Sequence, residues 1–68
     1  MKTIGDRIKY ARKNKGKISQ RMLAEWSGIH INSIKRYEQN LSIPPADVIG
    51  RIATVLRVTT DYLIFGEE

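Results

Sequence analysis

Asn32, Lys35 and Arg36 stand close together in a polar, basic stretch, with His30 and Ile31 just ahead of them and Gln20 and Arg21 further upstream. These side chains are equipped to read a nucleic acid. An arginine such as Arg36 can give two parallel hydrogen bonds to guanine O6 and N7, and a pairing of that kind discriminates by ~1–3 kcal/mol. An asparagine such as Asn32 can pair with adenine N6 and N7 in the same bidentate way. Ile31, an apolar residue on a polar face, fits a thymine methyl, and His30 can meet phosphate or base. Gln20, Arg21 and Lys35 are candidate phosphate binders, Gln20 with the added help of a helix N-terminus aimed at an anion. Each has a plainer alternative. Arg36 can be solvated or touch phosphate only. Asn32 can bond the backbone at a helix end. Ile31 can pack at the rim of the core, and His30 can be a surface or capping side chain.

Other chemistries have little to stand on. The chain has no cysteine and one histidine. A thiolate metal site is therefore excluded, and a histidine-rich metal site or a Ser-His-Asp triad is not a credible reading. No Gly-rich phosphate loop or paired-acid cleft is visible, so an enzyme is the weakest reading and no cofactor is expected.

Two short helices must position the reading residues. Ser19 caps the first, expected over 20–26, where Met22, Leu23 and Trp26 form an apolar stripe and Ala24 permits close helix contact. Ser27-Gly28-Ile29 makes a tight turn with Gly28 left-handed. The second helix, expected over 31–38, turns Ile34 and Tyr37 inward and Ile31, Asn32, Lys35 and Arg36 outward. This is the layout of a helix-turn-helix, a device that lays its second helix in the DNA major groove.

The rest of the chain supplies a scaffold. Ile4, Ile8 and Ala11 recur at helical spacing and predict a helix over 4–14, with Thr3 and Asp6 as its capping pair. Lys15-Gly16-Lys17 breaks it, with Gly16 suited to the left-handed ending. Asn40 ends the third helix. Pro44-Pro45 opens a fourth whose Val48, Ile49, Ile52, Ala53 and Leu56 share one face. Thr59 caps a last helix over 60–65, closed by Gly66, and Val58, Tyr62 and Leu63 complete the core. The expected architecture is all-α, with five helices in a single domain over 1–68.

Sixty-eight residues lie near the lower limit for independent folding, and without cysteine the core must be compact and aliphatic. The net charge of +5 is unevenly spread. Residues 1–36 hold ten Lys/Arg against two acids, a net +8, and residues 37–68 hold two against five, a net −3. A basic half that contains the helix-turn-helix suits a polyanion. The start Met1-Lys2-Thr3 leads into no apolar run, and no stretch is long enough to span a membrane. A cytoplasmic protein of a bacterium or phage-infected cell is expected, with no membrane partner and no small-molecule substrate.

The pattern resembles the phage repressor/Cro-type helix-turn-helix family, also called XRE-like, over nearly the whole chain. The resemblance rests on Ile4-Gly5-Asp6-Arg7-Ile8 with Arg12, and on Ser19-Gln20 with Leu23-Ala24, Gly28-Ile29, Ile34 and Tyr37-Glu38. It continues through Pro44, Ile52-Ala53 and Val55-Leu56 to the closing run from Val58 to Gly66. It implies a lambda-repressor-like fold and a transcriptional regulator, most readily a repressor, that binds double-stranded DNA as a homodimer on a two-fold operator. Half-sites would lie about one helical turn apart, roughly 34 Å. It also implies that Gln20 touches phosphate and braces the reading helix, that Arg12 and Glu38 form a buried ion pair, and that Arg57, Thr60 and Tyr62 lie at the dimer contact. Antitoxins and restriction-modification controllers share the pattern, as do co-activators that keep the fold as a protein-interaction module; a basic reading face argues against the last. Four positions depart from it. Lys17 adds a residue to the first loop, His30 replaces a common Ser or Thr cap, and Asn40 and Arg57 replace common glycines. A left-handed Arg57 would cost about 1 kcal/mol.

Overall fold

The computed structural model describes residues 2–67, so the ends of the expected 1–68 domain, Met1 and Glu68, lie outside the described residues. All regular structure among the described residues is helical: α1 Ile4–Ala11, α2 Gln20–Ser27, α3 Ile31–Glu38, α4 Ala46–Leu56 and α5 Thr60–Phe65. The helix starts follow local side-chain chemistry. Thr3, Ser19 and Thr59 each accept a hydrogen bond from the backbone N–H three residues on, at 3.0, 3.0 and 2.9 Å. Pro45, with extended backbone, is the cap residue of α4 rather than part of its first turn.

The five helices close around Ile8, Leu23, Ile34, Ile52, Leu56 and Leu63, all 2% exposed or less. α3 packs on α1 and α2, so one face of α3 is anchored and the other is left to solvent. The α1–α3 contact is close: a Cβ at Gly5 would collide with the Tyr37 carbonyl oxygen. Around that contact Thr3 Oγ1 donates to Asn40 Oδ1 (2.6 Å) and Asn40 Nδ2 donates to Asp6 Oδ1 (3.0 Å). Asn40 is left-handed (φ 62°), and these bonds hold it there.

The end of α1 departs from expectation. The α-helix stops at Ala11, and Arg12–Gly16 form a wider π-helical turn. The N–H groups of Lys17 and Ile18 both return to the Arg12 carbonyl. Lys17 (φ 54°), not Gly16, takes the left-handed conformation. A Cβ at Gly16 would lie 3.0 Å from Leu56 Cδ2, so this glycine serves close approach to α4.

Two further differences concern side chains. Of the expected Met22-Leu23-Trp26 stripe only Leu23 is buried; Met22 is 37% and Trp26 59% exposed. The buried face of α2 is Leu23, Ala24 and Ser27, because α2 must meet both α3 and α4. Arg7, given no role by the sequence, is buried. Its Nε and Nη2 donate to the carbonyls of Leu63 (2.8 Å) and Ile64 (2.7 Å), which fastens α1 to the end of α5. No helix among the described residues is long and apolar enough to cross a membrane.

Candidate nucleic-acid interface

The exposed face of α3 is held in place from behind by a buried polar cluster. Arg12 Nε and Nη2 donate to Glu38 Oε2 (2.7 Å) and Oε1 (2.9 Å) in a bidentate ion pair with side chains 8% and 2% exposed. Arg12 Nη1 donates to the Ile18 carbonyl at 3.0 Å, and Gln20 Nε2 donates to Glu38 Oε1 at 3.1 Å. One carboxylate therefore joins the end of α1, the connection before α2, the first residue of α2 and the last of α3. Its charge is balanced by Arg12, which is the condition for burying a charged pair.

The turn between α2 and α3 sets their relative direction. Gly28 is left-handed (φ 71°) and returns its N–H to Ala24. His30 then starts α3 itself: its Nδ1 accepts the Asn32 N–H at 3.1 Å. The missing Ser or Thr cap is thus replaced by an imidazole, with Nε2 as the remaining polar group of the ring. Ile31 is half-buried and packs against the core, and what remains exposed of it shares a surface depression with Arg21 and His30. α2 and α3 therefore present one continuous face at the turn.

Along α3, Asn32, Lys35 and Arg36 are all exposed. The Asn32 amide makes no hydrogen bond among the described residues, so the plainer backbone-bonding reading does not describe it. Arg36 donates from Nε to Ser42 Oγ at 3.1 Å, which steadies the side chain and leaves both terminal nitrogens without a partner among the described residues. Gln20 is half-buried, and Arg21 is exposed beside Glu25 (3.5 Å). Arg57 (left-handed, φ 58°) and Thr60 are at the surface where α4 meets α5. Tyr62, placed with them by the resemblance but in the core by its spacing, is turned inward and is 7% exposed, under Lys15 Nζ at 5.1 Å from its ring. Among the described residues no group of three His, Cys, Asp or Glu is arranged to hold a metal ion.

Ser42 was not singled out by the sequence. It lies in the loop after α3, and only the fold brings it to Arg36. Arg12 and Glu38 are far apart in the chain and had been paired by resemblance alone.

Comparison with known proteins gives a consistent result. A sequence model described as Helix-turn-helix matches residues 8–63. The HTH-type transcriptional regulator DicA of Escherichia coli (strain K12) is 36% identical over 66 residues, covering 97% of this chain and 48% of DicA. The HTH-type transcriptional regulator ImmR of Bacillus subtilis (strain 168) is 32% identical over 66 residues, covering 97% and 51%. The chain thus spans about half the length of these regulators. Among solved structures, the P22 c2 repressor in complex with synthetic operator 9T superposes with a TM-score of 0.86 at 28% identity, over 98% of this chain and 100% of that one. The solution structure of the P22 c2 DNA-binding domain gives 0.82 at 29% identity, over 91% and 80%.

Proposed function

The chain belongs to the helix-turn-helix family, and from that membership we propose that it is a sequence-specific DNA-binding transcriptional regulator, acting as a repressor. The observation that carries the reading is the exposed face of α3. Asn32, Lys35 and Arg36 are turned to solvent on a helix whose other face is fixed by the Glu38 cluster. A rigid support is what base reading requires, because bidentate pairing tolerates little misplacement. The likeness to a repressor bound to its operator supports placing α3 in the major groove.

Arg36 and Asn32 read base edges, with Ile31 and His30 adding contacts at the start of the helix. Lys35, Arg21 and Gln20 meet phosphates. Gln20 has two tasks, since its amide also bonds Glu38. Two copies bind a two-fold operator in the cytoplasm and meet near Arg57 and Thr60. Binding then occludes a promoter.

Selection of duplexes from a random DNA pool tests the reading. The expected result is a two-fold motif whose binding is lost on Arg36→Ala and Asn32→Ala, while weak binding to a scrambled duplex persists. If no motif is enriched, and binding to every duplex falls equally with salt, only phosphate attraction is present and the regulator reading fails.

A further inference from the structure

Arg36 and Ser42 lie six residues apart, and the guanidinium Nε donates to Ser42 Oγ at 3.1 Å. The chain between them is folded back by the ending of α3. Left-handed Asn40 returns its N–H to the Tyr37 carbonyl at 3.1 Å, and the Leu41 N–H returns to the carbonyl of Arg36 itself at 2.9 Å. This is the paired bonding of a Schellman ending. It carries the residue after Leu41 back to the side of Arg36. Asn40 is held in turn from α1, by Thr3 and Asp6. Ser42 is half-buried and Pro44 is buried, so the acceptor stands on a packed loop.

A guanidinium can offer a guanine a pair of N–H groups in two ways. One uses Nε and Nη2 along the side of the fork, and the other uses Nη1 and Nη2 at its end. Ser42 occupies the single Nε–H and with it the side. The end of the fork is what remains for a base edge. Guanine O6 and N7 are both acceptors, so they match that end. Adenine sets an N6 donor beside N7 and matches only half of it. Holding the side chain in advance also lowers the ordering cost that a freely solvated arginine pays on binding.

We propose, on the footing of the DNA reading above, that Ser42 is a positioning residue for base recognition: by holding Nε it presents Arg36 end-on, through Nη1 and Nη2, to the O6 and N7 edge of one guanine. Ser42 touches no base in this role and acts only through Arg36. The two roles open to its hydroxyl differ in what they do to binding. A serine that met a phosphate itself would strengthen binding to every duplex alike, because phosphates carry no sequence. A serine that aims Arg36 strengthens binding to one base pair over the others.

The test has one arm without DNA and one with it. In the free chain, NMR follows the exchange of the Arg36 Nε–H with water. Exchange is expected to speed up in Ser42→Ala and to stay near the parent's in Ser42→Thr, which keeps the hydroxyl. In the second arm, the parent, both Ser42 variants, Arg36→Ala and the Ser42→Ala/Arg36→Ala pair are titrated with the selected duplex, its single-base variants and a scrambled duplex. The preference relaxed by Arg36→Ala is expected to be for guanine. Ser42→Ala should cut that preference by about threefold to tenfold, the worth of one hydrogen bond, and leave scrambled binding unchanged. Ser42→Thr should restore it, and Ser42→Ala should change nothing once Arg36 is gone. The proposal is overturned if Ser42→Ala leaves the guanine preference or the Nε–H exchange as in the parent, or if Ser42→Thr behaves as Ser42→Ala. It is overturned equally if Ser42→Ala weakens all duplexes alike or acts without Arg36, since the serine then meets phosphate itself. A parent with no base preference at all brings down the DNA reading, whereas a preference that survives Ser42→Ala brings down only the positioning role.

Discussion

Glu38 accepts hydrogen bonds from two side chains while almost wholly removed from water. Its stability contribution is conditional on Arg12, because either charge left alone in that place is costly. Glu38→Ala is expected to lower stability by about 3–5 kcal/mol, read from a shift in the urea midpoint, which is a large share of what a small domain has. DNA binding measured well below the unfolding transition should fall as well, since Gln20 and α3 lose their common anchor. Asp6 contributes in another way. Its pKa is held below the ordinary 3.8, first by the Asn40 amide and then by the Lys2 backbone N–H. A depressed carboxylate stabilises the fold above its unfolded value, and that stability is lost as pH falls through the folded one. The stability gap between the parent and Asp6→Asn should therefore be widest above the ordinary aspartate value of 3.8 and close as the pH falls below it. A gap that stayed constant over that range would show that the Asp6 charge plays no part.

At the scale of elements, the caps and turns were legible and the end of α1 was not. Thr3, Ser19 and Thr59 act on N–H groups three residues away, so their consequences are written locally. Gly16 illustrates the opposite case. Glycine near a helix end suggests a left-handed stop, but here it makes room for Leu56, a residue forty positions on. Lys17 then carries the left-handed turn. α4 contains a glycine of a third kind. A Cβ at Gly50 would meet nothing within 4 Å, and the residue lies inside a helix with ordinary backbone. Gly50→Ala is expected to stabilise the fold by about 0.5–1 kcal/mol through reduced freedom of the unfolded chain. Thermal unfolding checks this, and a lower midpoint would mean that the helix needs the glycine.

At the scale of the whole molecule, electrostatics and the family fold point the same way. The basic first half of the chain includes α2 and all but the last two residues of α3. Binding of such a surface to duplex DNA should weaken linearly in the logarithm of salt concentration, by about 0.9 per phosphate neutralised. Lys35→Ala is expected to reduce that slope by about 1 on specific and scrambled duplexes alike. Arg36→Ala should instead relax preference at one base pair and cost about 1–3 kcal/mol there. An unchanged slope for Lys35→Ala would remove that lysine from the phosphate contacts.

The sequence by itself determined the five helices, the turn at Gly28 and the outward set of Asn32, Lys35 and Arg36, because periodicity and capping act within a turn or two of helix. The left-handed Asn40 and the pairing of Arg12 with Glu38 were also anticipated, the pairing only through resemblance. Tertiary structure alone decided that Ser27 rather than Met22 would join Leu23 and Ala24 on the buried face of α2. It also decided that Arg7 would fasten α5, and it sided with the core place read for Tyr62 from its spacing against the surface contact that the resemblance implied. The α2 face and the Arg7 bonds depend on how helices distant in the chain pack. Local spacing fixes which residues share a face, but only the packing of the other helices fixes which face meets water.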